Sequence, residues 1–214
     1  MDELDVLRTC AILHDIGKLK SWAKAKPASK SLHYTFEIMK DNIGEEFACT
    51  CMPSHCQGVE AKTDLEKIVL LADIIASGRP RYEEPTESRR TTLPLRLTHI
   101  LSDGSRGEEI DATRLASVIK EVEDGLKAVG RDVHQFTTGT YLEIYNSLEH
   151  CSLHNIPADA TEPMNDVSLW QHLKLTAAFA TCIWLDGGYR GDEFLVKGRY
   201  SPQGAEGYVS KYVK

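Results

Sequence analysis

No apolar run in this sequence is long enough to cross a bilayer. The longest strongly apolar stretch, Ile68 to Ala76, is interrupted by Asp73. The opening residues MDELDVLR are acidic and lack the apolar centre of an export signal, so a cytoplasmic protein without membrane contact is expected. Cysteine is sparse. Six in 214 residues do not make a disulfide scaffold, and reduced thiols are the expectation. Positive charge is in deficit, with 25 Lys and Arg against 32 Asp and Glu and a formal net charge of −7. That excludes a uniformly basic nucleic-acid binder but leaves room for a local basic groove. Internal repeats and low-complexity tracts are missing, which excludes a solenoid.

What is present fits one soluble domain large enough to bury its own core, with 42% hydrophobic and 27% charged residues. The periodicity is helical. Leu4, Leu7, Ala11 and His14 share a face, and Gly17 can end that helix. Further helices are predicted over 31–40, 64–77, 111–129, 140–150 and 167–185. Thr63 with Glu66 and Ser168 with Gln171 form predicted capping boxes. Residues 79–92 and 155–165, broken by prolines, read as connectors. The glycine-rich residues 186–214 hold one short strand candidate, Glu193 to Lys197, and read as a tail or the start of a further palm-like domain. Leu95, Leu97, Ile100 and Leu101 are expected in the core. The fold class is therefore all-α, with a helical domain over 1–185.

The sharpest chemical feature is Leu13-His14-Asp15-Ile16-Gly17-Lys18. An imidazole and a carboxylate stand side by side at the end of an apolar helix, both suited to a borderline divalent metal. Gly17 allows a sharp exit, and Lys18 can reach back toward an anionic substrate. Asp73 is a lone acid inside the apolar helix IVLLADIIASG. A carboxylate on a core-facing position needs a cation or a partner, the alternative being a cap or an arginine salt bridge. His33 and His55 lie between these two elements. Late in the chain, the helix SLWQHLKLTAAFATCIW carries His172.

The order His14-Asp15, His33, His55, Asp73 resembles the HD superfamily of metal-dependent phosphohydrolases. These usually carry one more histidine on a helix before the His-Asp pair, whereas no histidine stands among the thirteen residues before His14. His172 would supply it if the fold is circularly permuted. Three stretches carry a narrower likeness: ILHDIGKL at 12–19, LADIIASGRPR at 71–81 and IPADATEPMNDVSLWQHLKLTAAFATCIW at 156–184. They resemble the permuted HD nuclease domain of the large, polymerase-like subunit of type III CRISPR effector complexes (Csm and Cmr systems). The resemblance implies a two-metal site. His172, His14, Asp15 and Asp73 would hold one ion, and Asp15, His33 and His55 a second. It also implies Mn²⁺, Ni²⁺ or Co²⁺ as the ion, single-stranded DNA as substrate, Lys18 as the residue stabilising the phosphate, other complex subunits as partners and crRNA as an indirect one. Two departures stand out. His55-Cys56 replaces a histidine pair of many relatives, and the Gly-Gly-Asp-Asp cyclase motif is absent.

The segment IGKLKSWAKAKPASK is a candidate nucleic-acid track, with Lys18, Lys20, Lys24 and Lys26 for phosphates and Trp22 for base stacking. Arg79, Arg81, Arg89 and Arg90 are read as a surface or subunit contact. Cys49, Cys51 and Cys56 around His55 offer a structural zinc site only at unusually tight spacing, so a loop with buried thiols is preferred, and oxidation of two of these thiols is a minor alternative. His99, His134, His150 and His154 carry no motif and are expected on the surface or satisfied in the core. Two other functions compete with the nuclease: an HD phosphohydrolase acting on nucleotides, and an HD assembly module with reduced catalysis.

Overall fold

The computed structural model describes residues 2–26, 30–57, 63–77, 93–97, 109–130, 136–159, 166–186, 195–196 and 199–200. The sequence-predicted connector 79–92, His99, Ile100, Leu101, His134 and the four arginines at 79, 81, 89 and 90 lie outside them, as does most of the tail.

Among the described residues the architecture is all-α. In chain order the helices are α1 (Glu3–Leu13), α2 (Lys18–Ala23), α3 (Ser31–Asn42), α4 (Glu45–Cys51), α5 (Pro53–Gln57), α6 (Asp64–Ala76), α7 (Ala112–Gly130), α8 (Thr138–Glu149) and α9 (Leu169–Leu185). Two short antiparallel pairs accompany them. Leu95–Arg96 lies against Glu109–Ile110, and Leu195–Val196 against Arg199–Tyr200. No described helix is long and apolar enough to cross a membrane.

Local signals account for the helix starts. Asp2 accepts the Leu4 N–H to begin α1. Thr63 with Glu66 and Ser168 with Gln171 close both predicted capping boxes, so α6 and α9 begin where the sequence says they should. The short helices α2, α4 and α5 were not predicted. At five to seven residues each, they are too short to show a periodicity and are held by packing. Gly44, at φ +146°, makes the turn that separates α3 from α4.

The core is built on α1, which is buried from Asp5 to Leu13 on all sides except Arg8. Helix α9 lies against both α1 and α6 over most of its length. It buries Leu169, His172, Leu173, Thr176, Ala177, Ala180 and Ile183, and the small residues in the middle of that face allow close approach. Helix α7 packs against α2, α3 and α8 and adds Leu115, Val118, Val122 and Leu126, and Leu95 and Ile110 join the same core.

Gly17 is fixed by sterics. A Cβ there would stand 2.1 Å from the Ser31 carbonyl oxygen and 2.2 Å from the Thr35 nitrogen, both backbone atoms of α3. Gly17→Ala should therefore destabilise the chain by about 1–3 kcal/mol or more by forcing α2 away from α3. A urea titration that leaves the midpoint unchanged would count against this packing.

Candidate metal centre

Three helices deliver four ligands to one point. His14 and Asp15 leave the end of α1, Asp73 comes from the third turn of α6, and His172 from the first turn of α9. One ligand atom from each lies within 4.8 Å of all the others. His172 Nε2 is 3.0 Å from Asp73 Oδ1 and 3.5 Å from Asp15 Oδ2. His14 Nε2 is 3.4 Å from Asp15 Oδ2 and 3.6 Å from Asp73 Oδ1. His172, at the far end of the sequence, thus stands beside His14.

These side chains fit a divalent cation. His14 Nδ1 donates to the Ala11 carbonyl at 2.8 Å, which leaves Nε2 facing the carboxylates. Both His14 Nε2 and His172 Nε2 are buried and make no well-formed hydrogen bond. Ring nitrogens and carboxylate oxygens thus converge without a donor fully satisfying them, an arrangement that a cation resolves. Two ligand atoms each about 2.1 Å from one ion at a tetrahedral angle lie about 3.4 Å apart, close to the distances here. The donor set, two imidazoles and two carboxylates, suits Zn²⁺, Mn²⁺, Co²⁺ or Ni²⁺ and does not choose among them.

The electrostatics follow from burial. Burial alone would push the His14 imidazolium down, but the Asp15 and Asp73 carboxylates outweigh it and lift its pKa to about 10. Burial opposes ionisation of Asp15, yet Lys18 and His14 hold its carboxyl well below the ordinary range. Asp73 behaves alike, with His14 and His172 overcoming its burial. Lys18 reaches Asp15 Oδ2 at 2.6 Å and donates to the Ala158 carbonyl at 2.9 Å. Although half-buried, it stays charged because Asp15 outweighs the desolvation and raises its pKa.

One contributor had no motif to announce it. The Thr35 hydroxyl donates to the His14 carbonyl at 3.1 Å and accepts the Gly17 N–H at 3.0 Å. It clamps the turn that aims His14 and Asp15. The available signal was a hydroxyl on the stripe Ser31, Thr35, Ile38, Asn42, all buried on α3. Because Thr35 acts through backbone atoms, no ligand chemistry marked it.

Other sequence-derived candidates fall elsewhere. His33 is exposed and pairs with Glu37 at 3.1 Å. His55 packs near it, with ring centroids 5.7 Å apart, and lies 4.9 Å from the Phe36 ring. The two histidines come together, but the four-ligand cluster does not include them. The lysine track divides, because side chains two apart on a helix point in different directions. Lys20 pairs with Glu123 at 2.8 Å, Lys24 stands over the Tyr34 ring and Lys26 is exposed. Trp22 is 2% exposed and belongs to the core, so the expected stacking surface is corrected. The cysteine reading also changes. Cys49 and Cys56 form a disulfide linking α4 to α5, while Cys51 is buried beside Cys10. This replaces the reduced state expected for that pair, and the three sulfurs do not gather as zinc ligands. His150 and His154 sit on the surface, each bonded to a carbonyl near the end of α8.

A cavity of about 370 Å³ adjoins the cluster, and His14, Asp15, Lys18 and Asp73 form part of its wall.

No family model matches this chain, and no curated protein matches it. Solved structures do. The match to the crystal structure of Csm1 from T. onnurineus has a TM-score of 0.56 at 19% identity. The two share a fold. The match covers 86% of this chain but 29% of that one, so the chain spans less than a third of Csm1's length.

Metal loading should release about one proton between pH 6.5 and 10, because the cation displaces the His14 proton. Calorimetry in buffers of differing ionisation enthalpy measures it, and no buffer dependence would contradict the assignment. In the metal-free chain, the His14 contribution to stability is full below pH 6.5 and is lost as pH rises toward 10. The Asp15 and Asp73 contributions are present above their ordinary value of 3.8 and are lost as pH falls below it. Denaturation midpoints of chelator-treated protein should therefore fall at both pH 9 and pH 3.

Proposed function

We propose that this chain is a metal-dependent phosphodiesterase of the permuted HD type that cleaves single-stranded DNA as part of a type III CRISPR effector complex. The observation that carries the reading is the partly buried two-histidine, two-aspartate cluster whose imidazole Nε2 atoms lack well-formed hydrogen bonds and face both carboxylates. The resemblance of residues 12–19, 71–81 and 156–184 to that family, and the fold shared with Csm1, support the same conclusion. Mn²⁺, Ni²⁺ or Co²⁺ is the proposed ion.

When bound, the divalent ion supplies Lewis-acid stabilisation of phosphate charge and lowers the pKa of water. The residues supply position and charge. His14, Asp15, Asp73 and His172 hold the ion, and the bond from His14 Nδ1 to Ala11 fixes which ring nitrogen does so. Lys18, tethered to the Ala158 carbonyl, keeps a cation at the cavity wall where a non-bridging phosphate oxygen would lie. A divalent ion in place of the His14 proton leaves the site with positive charge in excess over its two carboxylates, which suits an anionic phosphodiester. His33 and His55, adjacent to each other, remain the proposed ligands of a second ion, to be shared with Asp15.

A non-catalytic assembly module is the second reading, and one observation favours it: His33 is engaged with Glu37, outside the four-ligand cluster. The test is cleavage of end-labelled single-stranded DNA with Mn²⁺. The wild-type chain should cut it, and His14→Ala and Asp73→Asn should each lose at least about 100-fold. Cleavage of mononucleotides but not DNA would replace the nuclease with a nucleotide phosphohydrolase. No cleavage of either, with no transition metal found by elemental analysis, would favour the assembly module.

A further inference from the structure

The wall of the cavity beside the cluster is not all polar. It carries the ionic groups His14, Asp15, Lys18 and Asp73, with the hydroxyls of Ser31 and Thr35. It also includes Leu32, Met39, Cys51, Met52, Val69 and Leu70. A further acid in the wall, Glu66, is already engaged. One of its oxygens accepts the Ser54 N–H and hydroxyl, and the other accepts the Thr63 N–H and hydroxyl. The cavity is thus amphiphilic. It combines charged groups suited to phosphate, on the reading above, with sulfur and aliphatic carbon.

Size narrows the occupant. Ligand pockets run from about 300 to 1,000 Å³, and this one, at about 370 Å³, is near the lower limit. It has room for one nucleoside-sized group and not for a run of nucleotides. Polarisable thioether and thiol groups pack well against the face or edge of an aromatic ring. The apolar part of the wall, with Met39 and Cys51 buried and Met52, Val69 and Leu70 half-buried, disfavours a second phosphate, because an unpaired charge against it would lose part of its hydration.

We propose that this cavity is a nucleotide pocket, taking one phosphate at the cluster and Lys18 and the attached base between the walls of α3 and α6. The proposal rests on the phosphodiesterase reading for the role of the charged groups. It also supplies a reason for single-strand selection. A base enters the cavity only after leaving its stack, and in a duplex that adds the cost of unpairing. Leu32 is 45% exposed yet lines the cavity, which places it at the mouth.

Calorimetry in the presence of Mn²⁺ separates the contributions. Deoxyadenosine monophosphate should bind at least about tenfold more tightly than deoxyribose phosphate, which lacks the base. Leu32→Trp should bring that ratio close to one by closing the mouth, with Mn²⁺ uptake as the control for folding. Val69→Phe, which fills the cavity from α6, provides a second blocking variant. A short single strand with one abasic position, compared with the intact strand, distinguishes the source. A tenfold loss for the abasic strand places the bound nucleotide within DNA, whereas no loss combined with tight monophosphate binding makes it a free nucleotide. Equal affinity of wild-type protein for deoxyadenosine monophosphate and deoxyribose phosphate overturns the pocket. These are binding measurements, so a tenfold base effect without any DNA cleavage would keep the pocket and remove the nuclease reading.

Discussion

Asp15 and Asp73 bring two carboxylates into the interior of an apolar helix bundle, and the arrangement around them follows from the cost of keeping both ionised there. A buried carboxylate without compensation loses several kcal/mol of hydration free energy, and two close together repel each other. Here Lys18 contacts one, while His14 and His172 each face both. Each partner comes with its own constraint. Lys18 is tied to the 156–159 connector through Ala158, His14 to its own helix through Ala11, and His172 is fixed by the capped first turn of α9. The charge cluster therefore ties α1, α6 and α9 together at one end of the same interface that their apolar faces form along its length.

That balance suits ion exchange. A protonated His14 and a divalent cation satisfy the same pair of carboxylates, so the fold can hold together without metal and still present a preformed site to it. The hydroxyl of Thr35 and the close contact of Gly17 with α3 hold the His14-Asp15 turn from the outside. The ligands stand on helices rather than on loops, which keeps their spacing narrow. The adjoining cavity, lined by both charged and apolar side chains, follows from the same construction, because apolar residues of α3 and α6 share its wall with the ligands.

Much of the site was legible in the sequence because its chemistry contradicts its surroundings. His14-Asp15 at the end of an apolar helix, Asp73 within one and His172 on a third are polar groups at positions that periodicity assigns to the core. The caps of α6 and α9 were legible for a similar reason, since they depend on residues only three apart. The short helices were not, since their stability comes from neighbours distant in sequence. The lysine track failed because a string of residues with one chemistry does not share a direction once it coils. Trp22 turned inward with the core face of α2 while its neighbouring lysines turned elsewhere.

By itself, then, the sequence determined the helical class, the major helices with their caps and four residues of unusual chemistry. Those properties arise from local periodicity and from the cost of burying charge. Only the tertiary structure decided that His172, nearly 160 residues beyond His14, completes the same cluster. It also decided that Thr35 steadies the turn, that Cys49 pairs with Cys56 and that an amphiphilic cavity opens beside the ligands. All but the disulfide, whose cysteines are seven residues apart, depend on the distance between helices remote in the chain. That distance is set by the packing of whole faces, such as α9 against α1 and α6, and no short stretch of residues encodes it.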